Sequence, residues 1–269
     1  MRLAKDALIA GRKWLRNRGV NVTRVAEPTR SFSGITIDWG RNQGTVRGTV
    51  VRVRHDTLSA RFLVVDPRDE IQREHFHGQF YEKCVLDRLS DLAGHGTYVD
   101  VGANVGNHLV FMGKSHPNRR LVGFEPNPRA FELLEINIAL NELSKTTRLL
   151  PFALGETDSR ATMATSEHNL GAARIDNGST IDIQVKVGDD LLAGEDIDII
   201  KIDTEGFEMF VLSGLRKTIA RCRPILFVEV DACNAAEFEA LMRTHRYVED
   251  ESLVGKVASP NHLMIPEGR

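Results

Sequence analysis

Three groups of residues in this 269-residue chain have types and spacings that could do chemistry. The first is Asp100-Val101-Gly102-Ala103-Asn104-Val105-Gly106-Asn107, which follows the apolar Tyr98-Val99. A short strand that runs into an acid, two glycines and a helix start lets backbone amides approach a ligand closely. Gly102 and Gly106, without a Cβ, permit the tight turn. A dinucleotide-type loop would want glycines at 102, 104 and 107, but 104 and 107 are Asn. A pyrophosphate cradle is therefore less favoured than a nucleoside cofactor with an amino-acid tail, whose ammonium group Asp100 could receive.

The second group is Glu125-Pro126-Asn127 at the end of the next apolar run. Glu125 stands 23 positions after Gly102, where a carboxylate can accept hydrogen bonds from both hydroxyls of a ribose. Pro126 and Pro128 force an extended turn before the next helix. The third group is Lys201-Ile202-Asp203-Thr204-Glu205-Gly206-Phe207-Glu208. A Lys inside an apolar strand is expensive unless paired, so Lys201 should meet a carboxylate. Asp203 and Glu205, where that strand leaves the sheet, could orient a substrate hydroxyl, act as a base or hold a metal. They could equally be a helix cap and a dipole-favoured acid. We assign no metal. His75-Phe76-His77-Gly78-Gln79-Phe80-Tyr81-Glu82 sets two histidines and three aromatics around a glycine before the first site strand, as a lid or substrate wall or as an ordinary helix start with exposed histidines. Within it His77 is a further catalytic candidate. Glu229 and the histidines at 75 and 77 are candidates for the polar wall.

The elements that must position these groups follow from periodicity. Strand-like runs at 97–101, 120–124, 147–152, 197–202 and 224–230 alternate with helical patterns at 107–115, 128–140, 207–219 and 235–244. That alternation implies a mostly parallel sheet with helices on both faces, which binds ligands outside the carboxyl ends of its strands. The rim then collects Asp100–Asn107, Glu125–Asn127, Phe152, Ala153, Leu154 and 203–206. Residues 247–254 and 262–265 suit closing antiparallel strands, and 181–187 an extra strand. Residues 155–180 are polar and glycine-rich and read as an insertion or mobile loop over the rim. Residues 70–92 read as a helical connector.

The amino-terminal part differs. Residues 3–18 suit a basic amphipathic helix, 21–34 a polar connector, and 35–65 short β segments with turns at Asn42-Gln43-Gly44 and His55-Asp56. We divide the chain into a helix and β-rich cap over 1–74 and a cofactor-binding domain over 75–269. The basic helix allows at most peripheral contact with a membrane surface. The β-rich part raises the question of a homodimer.

A net charge of −2 offers no global basic field, and there is no N-P-P-Y-type motif or basic stripe to indicate nucleic acid. An apolar content of 42% is enough for a sizeable core, and no apolar run approaches the ~20 residues of a spanning helix. Cys84, Cys222 and Cys233 lack metal or redox spacing and suit a reduced, cytoplasmic setting.

Taken together, these motifs resemble the FkbM family of S-adenosylmethionine-dependent methyltransferases. The resemblance rests on Val99–His108, Phe124–Asn127, Ala153-Leu154-Gly155 and above all Lys201–Glu208, and covers roughly residues 80–232, with Pro260–Met264 also similar. Thr204 stands where the family usually has Val. The resemblance implies a class I methyltransferase fold, α/β and Rossmann-like, with a seven-stranded sheet and a reversed last hairpin. It implies S-adenosyl-L-methionine as cofactor and methyl transfer to oxygen, on a sugar, glycan or small natural product. It puts Asp100, Gly102, Asn104 and Gly106, with the flanking Ala103 and Asn107, at the methionine part. Glu125 takes the ribose, beside Pro126 and Asn127; Phe152 and Ala153 border the adenine; Asp203 and Glu205 lie near the transferred methyl. Two rivals remain: a nicotinamide-dependent oxidoreductase, for which the glycine spacing is wrong, and a non-catalytic cofactor-binding module.

Overall fold

The computed structural model describes residues 21–22, 34–39, 44–165, 179–253 and 261–269. The expected amino-terminal helix over 3–18 and the turn at 42–43 lie outside them. The described chain carries three sheets.

The main sheet holds seven strands. β5 (Thr97–Val101) lies at its middle. β6 (Leu121–Phe124) and β7 (Thr147–Leu150) extend it on one side; β11 (Ile197–Ile202) and β12 (Ile225–Glu229) extend it on the other, all parallel. β14 (Asn261–Pro266) then runs antiparallel between β12 and the edge strand β13 (Tyr247–Glu249). This is the mostly parallel sheet with a reversed last hairpin that the resemblance implies. All five residues of β5 and all six of β11 are buried, as expected when both faces are covered. One face packs Tyr98, Ile199 and Phe227 against Leu109 and Met112; the other packs Val99, Val101, Ile200 and Ile202 against Val211, Leu212 and Leu215. The chain leaves β5 in one direction and returns beside it as β11, so the switch point falls between their carboxyl ends.

The amino-terminal segments form a four-stranded antiparallel meander: β1 (Asn21–Val22), β2 (Gly34–Trp39), β3 (Gly44–His55) and β4 (Leu58–Val64). Asp56, at the expected His55-Asp56 turn, has a φ of 48°. Val51, Val53 and Phe62 share a continuous core with Leu109, Phe111 and Leu134. β4 is an edge strand, and its free backbone groups need partners. Two amides one helical turn apart on α4 (Pro128–Leu140 and its C-cap Asn141) supply them. The Leu63 amide donates to Asn137 Oδ1 at 2.8 Å, and Asn137 Nδ2 donates to the Val105 carbonyl at 2.8 Å. Asn141 receives the Arg61 amide at 2.9 Å and donates back to the Arg61 carbonyl at 2.7 Å. The cap is therefore bonded through α4 to the loop after Gly102.

Two expectations are corrected. Residues 70–92 form two helices, α1 (Glu70–Phe76) and α2 (Lys83–Leu92), because Gly78 and Glu82 adopt positive φ and turn the chain between them. The segment read as a mobile loop contributes β9 (Ser159–Thr165), paired residue for residue with β10 (Ser179–Val187), which also pairs in parallel with β8 (Ala153–Gly155). Its polar, small residues hid a two-sided strand because one face is solvated.

Asn137→Ala leaves a buried donor and a buried acceptor without partners. Each costs about 1–3 kcal/mol, so a loss of about 2–4 kcal/mol is expected in urea unfolding. A loss below ~0.5 kcal/mol would show that the amide does not join cap and loop.

Candidate active site

A cavity of about 510 Å³ opens over the carboxyl ends of β5, β6, β11 and β12. Its floor is the Asp100–Asn107 loop. Gly102 (φ +82°) lies under the start of the next loop: a Cβ there would fall 1.8 Å from the Asp203 carbonyl oxygen. Only a glycine lets the two strand-end loops cross this closely. The chain's own crossing, as much as any ligand, demands glycine here.

The two loops are tied by Lys201, buried on β11. Its Nζ lies 3.3 Å from Asp100 Oδ1, 3.1 Å from Asp203 Oδ2 and 3.1 Å from the Gly102 carbonyl, to which it donates. The register places Lys201 beside Asp100. Burial alone would discharge the amine; the two carboxylates overcome that and hold it charged, above its ordinary range. Burial likewise raises Asp203, but Lys201 outweighs it and keeps that carboxyl below its usual range. Asp100 is different. Burial pushes its carboxyl up, the ammonium it meets is that of Lys201, and neither oxygen has a well-formed hydrogen bond among the described residues.

Glu125 ends β6 as a buried carboxylate. Its two oxygens receive the amides of Asn104 and Asn127, each at 2.8 Å. Each oxygen keeps a lone pair for a ligand hydroxyl. Burial pushes the group up to about 7, against the pull of the Asn127 and Asn104 amides. Asn127 also caps α4, receiving the Arg129 amide at 3.0 Å, with Pro128 at the first helical position. Pro126, Phe152 and Ala153 line the same end of the cavity.

Asn107 faces the cavity with its amide engaged. Its Oδ1 receives the Tyr81 amide at 3.1 Å and the His75 ring at 3.0 Å, while its Nδ2 donates to the Tyr81 carbonyl at 3.0 Å. Burial lowers His75 to about 4, so the ring is neutral, with Nε2 as the donating nitrogen. It stacks on Phe62 at 3.8 Å. His75 is thus a core residue that fixes the wall. His77 is exposed at the end of α1 and is not among the residues lining the cavity, because the turn at Gly78 directs Tyr81 and Glu82 there instead.

Asp203, Glu205 and Glu229 also line the cavity. Glu205 is exposed with φ 53°, in a loop held by the buried Glu208, which receives the Gly206 amide at 2.6 Å and the Thr204 hydroxyl at 3.3 Å. His108 was quoted in the sequence motif without a role. It lines the cavity, with Nε2 3.0 Å from Glu82 and Nδ1 3.3 Å from the Tyr98 hydroxyl. Tyr81 and Glu82, in the stretch read as a lid or substrate wall, line the cavity. Met163 and Ile183 of the β9–β10 hairpin carry no motif.

The mostly parallel seven-stranded sheet with its reversed last hairpin is the class I methyltransferase fold. The methyltransferase FkbM domain matches residues 100–251, more than half of the chain, and the chain belongs to that family. It is 25% identical to methyltransferase sdnD of Sordaria araneosa over 174 residues, covering 50% of this chain and 67% of that protein. It is 24% identical to methyltransferase 1 of Beauveria bassiana over 179 residues, covering 57% and 71%. The crystal structure of a methyltransferase FkbM from Methylobacillus flagellatus KT aligns with a TM-score of 0.38 at 18% identity, covering 59% of this chain and 42% of that one. The protein is a methyltransferase. Among the described residues no helix is long and apolar enough to cross a membrane.

The crossing loops set a stability contrast. Gly102→Ala must displace the Asp203 backbone and should cost about 2–4 kcal/mol in urea unfolding, strain included. Gly206→Ala, at φ +103° with nothing within 4 Å, carries strain alone and should cost about 1–2 kcal/mol. Equal losses would mean that the crossing does not need its glycine.

Proposed function

We propose that this chain is an S-adenosylmethionine-dependent O-methyltransferase acting on a hydroxyl of a sugar, glycan or small natural product. The observation that carries the reading is one cavity with two carboxylates shifted in opposite directions. Glu125 is poised to receive a diol at one end. Asp203 is held ionised by Lys201 at the other. The family supports a methyl donor, and the donor set fits this one. Glu125 would take the ribose hydroxyls, Phe152 and Ala153 would flank the base, and the Asp100–Gly106 loop would face the methionine part, where, among the described residues, Asn104 Oδ1 is buried without a hydrogen-bond partner and the Asp100 oxygens meet only the Lys201 ammonium.

When bound, the sulfonium supplies an electrophilic methyl and its own leaving group. The protein's share is then alignment, desolvation and proton removal. Asp203 accepts the proton of the acceptor hydroxyl. Lys201 keeps Asp203 anionic and aimed. Glu205, at the open edge, is placed to bond the acceptor rather than to carry the proton, because it lies in solvent. The oxidoreductase alternative is disfavoured by Asn104 and Asn107, the latter tied to Tyr81 where a third glycine would have to approach a pyrophosphate.

Isothermal titration should show binding of S-adenosylmethionine and S-adenosylhomocysteine and none of NAD; the reverse pattern would overturn the reading. Glu125→Gln should weaken the methyl donor by roughly 10–100-fold. In the unaltered protein affinity should fall as pH drops through about 7, where Glu125 gains its proton and offers a weaker acceptor. Asp203→Ala should lower turnover on the true acceptor by roughly 10²–10⁴-fold with donor affinity kept. Full turnover would remove Asp203 as base.

A further inference from the structure

Beyond Asp203, one cavity group has no role in the reaction as described. Glu229 is the last residue of β12, on the strand paired with β11. The register sets Ile202 beside Val228, so Asp203 and Glu229 are the next residues of two neighbouring parallel strands. Both line the cavity, side by side at the ends of two hydrogen-bonded strands. Two carboxylates so placed repel when both are ionised, and a proton shared between them removes that repulsion.

The surroundings decide which one. Asp203 faces Lys201 on its own strand at 3.1 Å, and the His108 ring of α3 (Asn107–Ser115) also favours its charge, while Asp100 of β5 opposes it. Glu229 faces Asp203 and Glu205, both of which disfavour its charge, with Lys201 a weaker opposing influence. Across from it on β14 is the neutral Asn261. Tyr81, on the opposite wall, lies in the field of both carboxyls and stays protonated. The lysine therefore draws the charge to Asp203 and leaves the proton on Glu229.

We infer that Asp203 and Glu229 form one proton-sharing pair, in which Glu229 is the positioning residue that donates to Asp203 and fixes which of its oxygens faces the acceptor hydroxyl. The inference rests on the proposed methyl-transfer function for its catalytic half only. During transfer the acceptor oxygen forms its new bond to the methyl carbon. The carbon–sulfur bond breaks with its electron pair passing to sulfur. The hydroxyl proton passes to Asp203, whose hydrogen bond from Glu229 is kept. Burial and the neighbouring Asp203 push Glu229 up to about 8, so the donated hydrogen bond persists through neutral pH and is lost above it. Once both groups are ionised they repel, and Asp203 is no longer aimed.

The pair can be read without turnover. Carbon-13 NMR of side-chain carboxyls in the free, full-length protein should show one group titrating near pH 8, absent in Glu229→Gln. In Asp203→Asn the same group should titrate lower by about one unit or more, because the charge opposing its ionisation is gone. No carboxyl titrating above the ordinary carboxylate range, or one that persists in Glu229→Gln, overturns the pair. With an accepted substrate, turnover of the unaltered protein should fall as pH rises through about 8, by up to roughly tenfold per unit. Glu229→Gln donates an amide hydrogen but cannot titrate, so it should turn over more slowly yet lose that alkaline fall. The same fall in both proteins overturns the positioning role. If the carboxyl titrates as expected and S-adenosylmethionine fails to bind, the pair stands and the donor assignment fails.

Discussion

A buried ammonium survives only where anions or dipoles replace its water, and the site is arranged around that requirement at Lys201. Its position on a central strand of the parallel sheet leaves it almost wholly buried. The chain meets the need with Asp100 from β5, Asp203 from its own strand and the Gly102 carbonyl from the loop between them. That arrangement draws the ends of two strands together across the switch point of the sheet. It is also what makes the crossing so tight that a side chain at 102 would strike the Asp203 backbone. The same charge that satisfies a structural demand holds a carboxylate ionised at the wall of the cavity. The interaction that keeps Lys201 charged inside the sheet is thus the same one that keeps Asp203 ionised.

The second carboxylate is set up in a different way. Glu125 has no ion pair among the described residues; it is buried and held by two backbone amides, one from its own turn and one from the Asp100 loop, with Lys201 a weaker influence. Such a group is costly to charge, and its ordinary range is displaced toward neutrality. The two ends of the cavity are therefore tuned by opposite means, ion pairing at Asp203 and desolvation at Glu125. The amino-terminal meander is bound into the same framework. Asn137 joins the Leu63 amide to the Val105 carbonyl, and His75, from the connection that follows the meander, holds Asn107. The cap therefore helps to fix the loop that the cofactor would contact.

Much of the parallel sheet was legible because buried strands and amphipathic helices alternate with their own periods, and because the acids and glycines fall at strand ends. The pairing of Lys201 could be argued from the cost of burying it. Other features were not legible. The hairpin of β9 and β10 looked like a loop, since one face of each strand is polar and the residues are small. The histidines before β5 looked equivalent, but a turn at Gly78 buries His75 against Phe62 and leaves His77 in solvent. Tyr81 and Glu82 reach the cavity instead.

From its order of residue types alone, the chain determined the alternation of strands and helices, the ends of the strands on which chemistry could sit, and the need of Lys201 for a counter-charge. These are local matters of period, spacing and burial cost. Which carboxylate answers the lysine, which histidine is core, and which acid holds a proton were decided only by the tertiary structure. Each depends on register between strands far apart in the chain: β11 beside β5 sets Lys201 against Asp100, and β12 beside β11 sets Glu229 against Asp203. Charge states follow from those neighbours, and sequence spacing carries no information about them.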